Sequence, residues 1–65
     1  MSTEADAHDR LLALAHDLRT PLTLVTGFAE MLRREDLTEE QRAEYLRRLS
    51  ECAREMAEIL DAQEL

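Results

Sequence analysis

The sequence has few residues that interrupt helices or cross-link a fold. It contains one cysteine, one proline and one glycine in 65 residues, and no tryptophan. The lone Cys52 excludes an internal disulfide and fits a reducing compartment, and no CxxC pair or His/Cys cluster indicates structural zinc. Scarce glycine, proline and aromatics in a chain rich in Ala, Leu, Glu and Arg are typical of long helices. We therefore predict an all-α fold with no bound metal.

Positive charge and long apolar runs are also scarce. A formal charge of −7 argues against a nucleic-acid partner, whose phosphates would repel the chain. No apolar run approaches the roughly 20 residues of a membrane span, and the start MSTEADAHDR is unlike a signal peptide. We predict a cytoplasmic chain without direct membrane contact, although a parent protein could be anchored through other segments.

The small size of the chain predicts a partner. A domain of this length buries only about 60% of its unfolded surface, and small folds usually need disulfides, a metal or oligomerisation. Because the first two are excluded here, we expect residues 1–65 to form one domain that is completed by a second copy.

A first helix is expected over about Glu4 to Arg34, with boundary errors of a few residues. Ser2 or Thr3 can cap it, and Asp6 follows Thr3 at the spacing of a capping box.

The stretch RREDLTEE interrupts the apolar pattern and predicts a turn at about residues 35–38. Thr38 and Gln41 have the spacing of a second capping box, so a second helix should follow at about Glu39 to Ala62.

The apolar positions of both helices fit a heptad frame in which Leu11 is position a. In the first helix, row a continues with Leu18, Val25 and Leu32, row d holds Leu14, Pro21 and Phe28, and row e holds Ala15, Leu22 and Ala29. In the second helix, row a holds Leu46, Ala53 and Leu60, row d holds Leu49 and Met56, and row e holds Ala43, Ser50 and Ala57. Tyr45, Cys52 and Ile59 add row g in the second helix. Since so wide a stripe suits a four-helix bundle, we predict an antiparallel hairpin that forms a twofold-symmetric homodimer.

His16 falls at position f, opposite the apolar rows. An exposed helical histidine is ordinarily a solvated side chain, and His8 is interpreted in that way. Asp17 follows His16, and a carboxylate that accepts the Nδ1 proton would leave Nε2 as a nucleophile. The pair alone is also common on helix surfaces.

Pro21 weakens the turn next to His16. Inside a helix, proline removes a backbone hydrogen bond and clashes with the carbonyl four residues earlier, that of Asp17, at a cost of about 3 kcal/mol. The position predicts either a hinge or a tolerated kink.

The segment from Ala15 to Thr23, AHDLRTPLT, resembles the H-box of sensor histidine kinases. An apolar tail, LVTGFAEML, follows the motif, and the chain ends in EILDAQEL, which is similar to the junction with the family's ATP-binding domain. The resemblance covers nearly all of the chain, and the motif is highly specific. Many members have glutamate after the histidine, where this chain has Asp17, a familiar variant.

The resemblance implies a role for each matching residue. His16 would accept the γ-phosphoryl group of ATP on Nε2 and pass it to an aspartate of a response-regulator receiver domain. Asp17 would act as the general base, Thr20 would position a water that dephosphorylates the regulator, and Pro21 would be the hinge.

The chain itself has no glycine-rich loop and too few residues for a nucleotide fold. It is therefore expected to be part of a histidine protein kinase, a transferase, without ATP binding or kinase activity of its own. ATP and Mg²⁺ would be used by a separate catalytic domain, and this chain would bind no cofactor.

Two other interpretations remain. One is a helical hairpin dimer that acts as a signalling spacer or scaffold without being phosphorylated, although such a spacer would need none of His16, Asp17 and Thr20. The other is a metal site that uses His8 and His16, whose separation of eight residues is too long for one ion within a single chain.

Overall fold

A computed structural model describes residues 3–63, with side chains from Asp6 to Gln63. Two helices, α1 (Thr3–Met31) and α2 (Glu39–Asp61), pack against each other and are joined by a short turn. Residues 3–63 contain no strand. The prediction of an all-α helical hairpin is confirmed.

The start of α2 has the predicted capping box. The Oγ1 of Thr38 accepts a hydrogen bond from the Gln41 backbone N–H at 3.0 Å, and the Gln41 Oε1 accepts one from the Thr38 N–H at 2.9 Å. These bonds pair two of the donors that a helix N-terminus leaves free. In the box predicted for the first helix, the capping side chain that would pair with Asp6, that of Ser2 or Thr3, lies outside the described side chains, so this box stays a prediction.

Replacing Thr38 with alanine should destabilise the fold by about 1 kcal/mol, because the N-terminal donors of α2 lose their acceptor. For a domain of this size that loss lowers the melting temperature by about 4–8 °C. Thermal unfolding followed by circular dichroism at one protein concentration measures the shift, and Thr38→Ser, which keeps the hydroxyl, is the control. An unchanged melting temperature in the alanine variant would show that the cap contributes nothing.

The chain tightens directly after Met31, where bonds to carbonyls three residues back replace the α-helical pattern. Helix α1 therefore ends at Met31 rather than at about Arg34. The backbone N–H groups of Arg33 and Arg34 donate to carbonyls three residues back, at 3.1 and 3.2 Å. The Arg42 guanidinium reaches across from α2 and donates to the carbonyls of Leu32 and Arg34 at 3.1 and 3.3 Å. The end of α1 is thus capped by a side chain of α2.

A second arginine closes the turn itself. The Arg34 guanidinium donates to both carboxylate oxygens of Asp36, at 3.1 and 2.9 Å. This hydrogen bond lowers the pKa of the exposed Asp36 carboxyl.

The two helices use different heptad rows to contact each other. Helix α1 contributes rows a and d, whose buried or half-buried members are Leu14, Leu18, Pro21, Val25 and Phe28. Helix α2 contributes rows d and g, whose buried or half-buried members are Tyr45, Leu49, Cys52, Met56 and Ile59. The rings of Phe28 and Tyr45 lie 6.1 Å apart between centroids. Counting seven residues from each ring along the antiparallel helices places Pro21 opposite Cys52. These are the two buried residues among the described side chains.

None of the helices in the described part of the chain is long and apolar enough to span a bilayer.

Candidate functional site

His16 is exposed on the side of α1 that faces away from α2. It lies two residues from both Leu14 and Leu18, which are half-buried at the contact with α2. Two residues are about 200° around a helix axis, so the imidazole is nearly opposite the hairpin interface. Another macromolecule can reach it without disturbing the packing of the two helices.

Asp17 and Thr20 are exposed on the same helix. Thr20 follows His16 by four residues, which places it on nearly the same side and about 6 Å along the axis. Asp17 is turned by about 100° from His16, and in the described residues their side chains are not hydrogen-bonded to each other. The helix therefore groups the three predicted residues on one accessible surface without pairing the carboxylate with the imidazole.

Pro21 does not interrupt α1, which runs through it to Met31. Its ring is buried on the side facing α2, while His16 and Thr20 are exposed. The backbone defect thus lies on the inner side of the helix, and the two candidate site residues lie on the outer side. Its action as a hinge remains a prediction.

The hydroxyl groups of two threonines next to Pro21 hydrogen-bond to the backbone of their own helix. The Thr23 Oγ1 donates to the Arg19 carbonyl at 2.8 Å, and the Thr26 Oγ1 donates to the Leu22 carbonyl at 3.1 Å. In the sequence, Thr23 stands out only as part of the motif, and this bond was not predicted. A threonine inside a predicted helix is itself a signal for it, because its hydroxyl readily bonds the carbonyl four residues back.

Charged side chains on the outer face of α2 are paired with one another. Glu44 accepts hydrogen bonds from Arg47 at 2.6 Å and from Arg48 at 2.9 Å, and Arg47 also pairs with Glu51. The bonds from Arg47 and Arg48 lower the pKa of the Glu44 carboxyl. Exposed pairs at these spacings stabilise a helix only slightly, so this cluster is best explained as support for α2.

In the residues that the structure describes, no group of three or more His, Cys, Asp or Glu side chains is arranged to hold a metal ion. His8 and His16 are both exposed, two turns apart along α1.

The chain was compared with known protein families, curated proteins and solved structures. A family model described as the His Kinase A (phospho-acceptor) domain matches residues 9–62, which include both helices' packed faces and the whole motif around His16. The searches of curated proteins and of solved structures found no match.

Proposed function

This chain belongs to the family of His kinase A phospho-acceptor domains, the phosphoacceptor and dimerisation modules of histidine kinases, and from that premise we propose that His16 carries the phosphoryl group. The observation that supports this most is the position of His16, exposed and opposite the helix contact, within the family's match. His8 is exposed too but lies outside the matched residues 9–62.

The proposed chemistry has two transfers. In the first, His16 Nε2 forms a bond to the γ-phosphorus of ATP while the bond to the leaving ADP oxygen breaks. In the second, a carboxylate oxygen of a response-regulator receiver domain attacks that phosphorus, the N–P bond breaks and an acyl phosphate forms. Such transfers depend on positioning and on charge stabilisation around ATP and Mg²⁺, which a separate catalytic domain would supply.

Asp17 is the proposed general base. Its carboxylate would hold the Nδ1 proton and direct the Nε2 lone pair outward. Because both side chains are exposed and unpaired with each other, a change of rotamer is enough to bring them together when the catalytic domain docks.

We also propose that two copies of the chain form the four-helix bundle. The hairpin leaves an apolar stripe uncovered on both helices, formed by Leu11, Ala15, Leu22 and Ala29 of α1 and by Leu46, Ala53 and Leu60 of α2. We call this set the unpaired stripe. Its four leucines are 45–65% exposed. Because they lie together in rows on one side of the hairpin rather than singly, they are typical of a surface that a partner covers.

The total surface area supports the same proposal. The chain exposes 5608 Å², whereas a compact folded monomer of 7.5 kDa is expected to expose roughly 4,200 Å². The difference exceeds the roughly 800 Å² that each partner buries in a standard interface.

The test is to mix the chain with ATP, Mg²⁺ and the ATP-binding domain of a histidine kinase. Phosphohistidine is recognised as a label that is lost in acid and retained in base. A label with the stability of a phosphoserine, or label on a residue other than His16, would contradict the proposal.

Thr20→Ala, placed in the complete kinase, should lower dephosphorylation of the regulator far more than phosphorylation of His16. The hydroxyl of Thr20 is proposed to position the attacking water, and losing a positioned reactant costs on the order of 10- to 100-fold in rate. Alanine is a good helix former, so α1 should be retained. Both rates are measured in one preparation.

Asp17→Asn is the matched control, because it should affect phosphorylation of His16 more than dephosphorylation of the regulator. Removing the proposed base should lower the labelling of His16 by on the order of 100-fold, because the amide no longer accepts the imidazole proton as a carboxylate does. Equal losses of both rates in the Thr20 variant would instead favour a structural role for that residue.

A further inference from the structure

The backbone around Pro21 lacks one hydrogen bond and has two additional ones. Pro21 has no N–H, so the Asp17 carbonyl loses its helical partner. The hydroxyl groups of Thr23 and Thr26 add donors to the carbonyls of Arg19 and Leu22.

The bond made by Thr23 involves the peptide group that links Arg19 to Thr20. The carbonyl of Arg19 and the N–H of Thr20 are two ends of that one planar group. In an α-helix the N–H of Thr20 donates in turn to the carbonyl of His16. A continuous chain of hydrogen bonds therefore runs from the Thr23 hydroxyl through the Arg19–Thr20 peptide to the backbone of His16.

This chain of bonds crosses the turn that Pro21 weakens. Because the carbonyl of Arg19 has two lone pairs, it can accept from both the backbone N–H and the hydroxyl of Thr23. The second donor ties this peptide group to the side chain of Thr23. A displacement of the group would carry Thr20 with it, so the position of Thr20 is coupled to that side chain.

We infer that Thr23 is a positioning residue for the reaction at His16, acting through the Arg19–Thr20 peptide to hold the hydroxyl of Thr20. The inference depends on the proposed function, because it assigns Thr23 to the same site. Thr23 touches neither substrate nor nucleotide in this role.

Thr26 provides a matched control within the same helix. Its hydroxyl makes the same kind of bond at a similar length, 3.1 Å, but to the Leu22–Thr23 peptide, beyond Pro21. Removing it should loosen the Leu22–Thr23 peptide directly. It reaches the Arg19–Thr20 peptide only through the backbone N–H of Thr23, so its effect at Thr20 should be smaller than that of Thr23→Val.

The experiment compares Thr23→Val, Thr23→Ser and Thr26→Val with the unmodified chain. Valine keeps the shape of threonine and has a similar helix propensity, while serine keeps the hydroxyl. Amide hydrogen exchange followed by NMR should show the Thr20 amide exchanging about threefold faster in Thr23→Val, which corresponds to the loss of one weak hydrogen bond. Thr23→Ser should restore the slow exchange, and Thr26→Val should accelerate the Thr23 amide instead.

The same variants are then placed in the complete kinase, where both rates are measured. Thr23→Val should lower regulator dephosphorylation about threefold, by more than it lowers phosphorylation of His16, and Thr23→Ser should rescue it. The role of Thr23 would be overturned if Thr23→Val left the exchange of the Thr20 amide unchanged, or if Thr26→Val accelerated that amide equally. It would also be overturned if Thr23→Val accelerated the exchange without changing the rate of regulator dephosphorylation. Absence of label on His16 in the unmodified kinase would overturn the proposed function, and the role of Thr23 with it, whatever the exchange data show.

Discussion

Replacing His16 with glutamine should reduce phosphorylation of this chain to background while leaving its helicity unchanged. The nitrogen of a carboxamide has its lone pair delocalised into the carbonyl, so glutamine offers no nucleophile for the γ-phosphorus of ATP. The side chain is exposed and opposite α2, and glutamine favours helices at least as well as histidine. Loss of label would therefore report chemistry rather than folding.

The control for this experiment is the other histidine. His8→Gln makes the same replacement on the same helix, at a position that is also exposed, and should retain full labelling. The two variants are incubated with ATP, Mg²⁺ and a catalytic domain, and the acid-labile phosphate is counted. Labelling that survives in the His16 variant, or that disappears in the His8 variant, would show that the site has been assigned to the wrong residue.

Replacing Leu46 with aspartate should dissociate the proposed homodimer. Leu46 is 48% exposed in the hairpin and belongs to the unpaired stripe, so its burial is expected only against a second copy. Each dimer would lose two leucine side chains worth about 1.5–3 kcal/mol each and would have to bury two charges. The dissociation constant should rise by on the order of 1,000-fold, as measured by sedimentation equilibrium.

Leu24→Asp is the matched control. Leu24 is 45% exposed, close to the value for Leu46, but it lies on the opposite flank of α1 from Leu22 and the rest of the unpaired stripe. This variant should remain a dimer. A well-folded monomer of the unmodified chain at micromolar concentration, or dissociation caused equally by both substitutions, would contradict the proposed interface.

Replacing Leu49 with aspartate would test a different contact. Leu49 is half-buried against α1 within one hairpin, so a charge there attacks the packing of the helix pair itself. The Leu49 variant should lose helicity, whereas the Leu46 variant should dissociate into chains that remain folded.

Local signals in the sequence predicted the two helices and the residue at which α2 begins. The capping box of Thr38 and Gln41 involves residues three apart, and the scarcity of glycine and proline favours helix almost everywhere else. The end of α1 was predicted less well. The chain tightens after Met31, where Arg42 reaches back from α2 to the carbonyls of Leu32 and Arg34. Nothing local to residues 31–34 reveals that contact.

The candidate site was also predictable in large part from the sequence. His16, Asp17 and Thr20 are neighbours on one helix, so the helical period alone places them on one surface, and the structure finds all three exposed. The bond between Thr23 and Arg19 required coordinates, because the rotamer of a threonine decides whether its hydroxyl reaches the carbonyl four residues back.

By itself, the sequence determined that this chain forms two amphipathic helices with a histidine outside the apolar rows, because helix period and capping are properties of neighbouring residues. Only the tertiary structure decided which apolar row meets which partner. Rows a, d, e and g were indistinguishable in the pattern, yet α2 packs on α1 through Tyr45, Leu49 and Cys52 and leaves Leu46 and Leu60 uncovered. The periodicity of a sequence shows how wide the apolar face of each helix is. The part of that face that the neighbouring helix covers depends on the direction in which the turn leads the chain back.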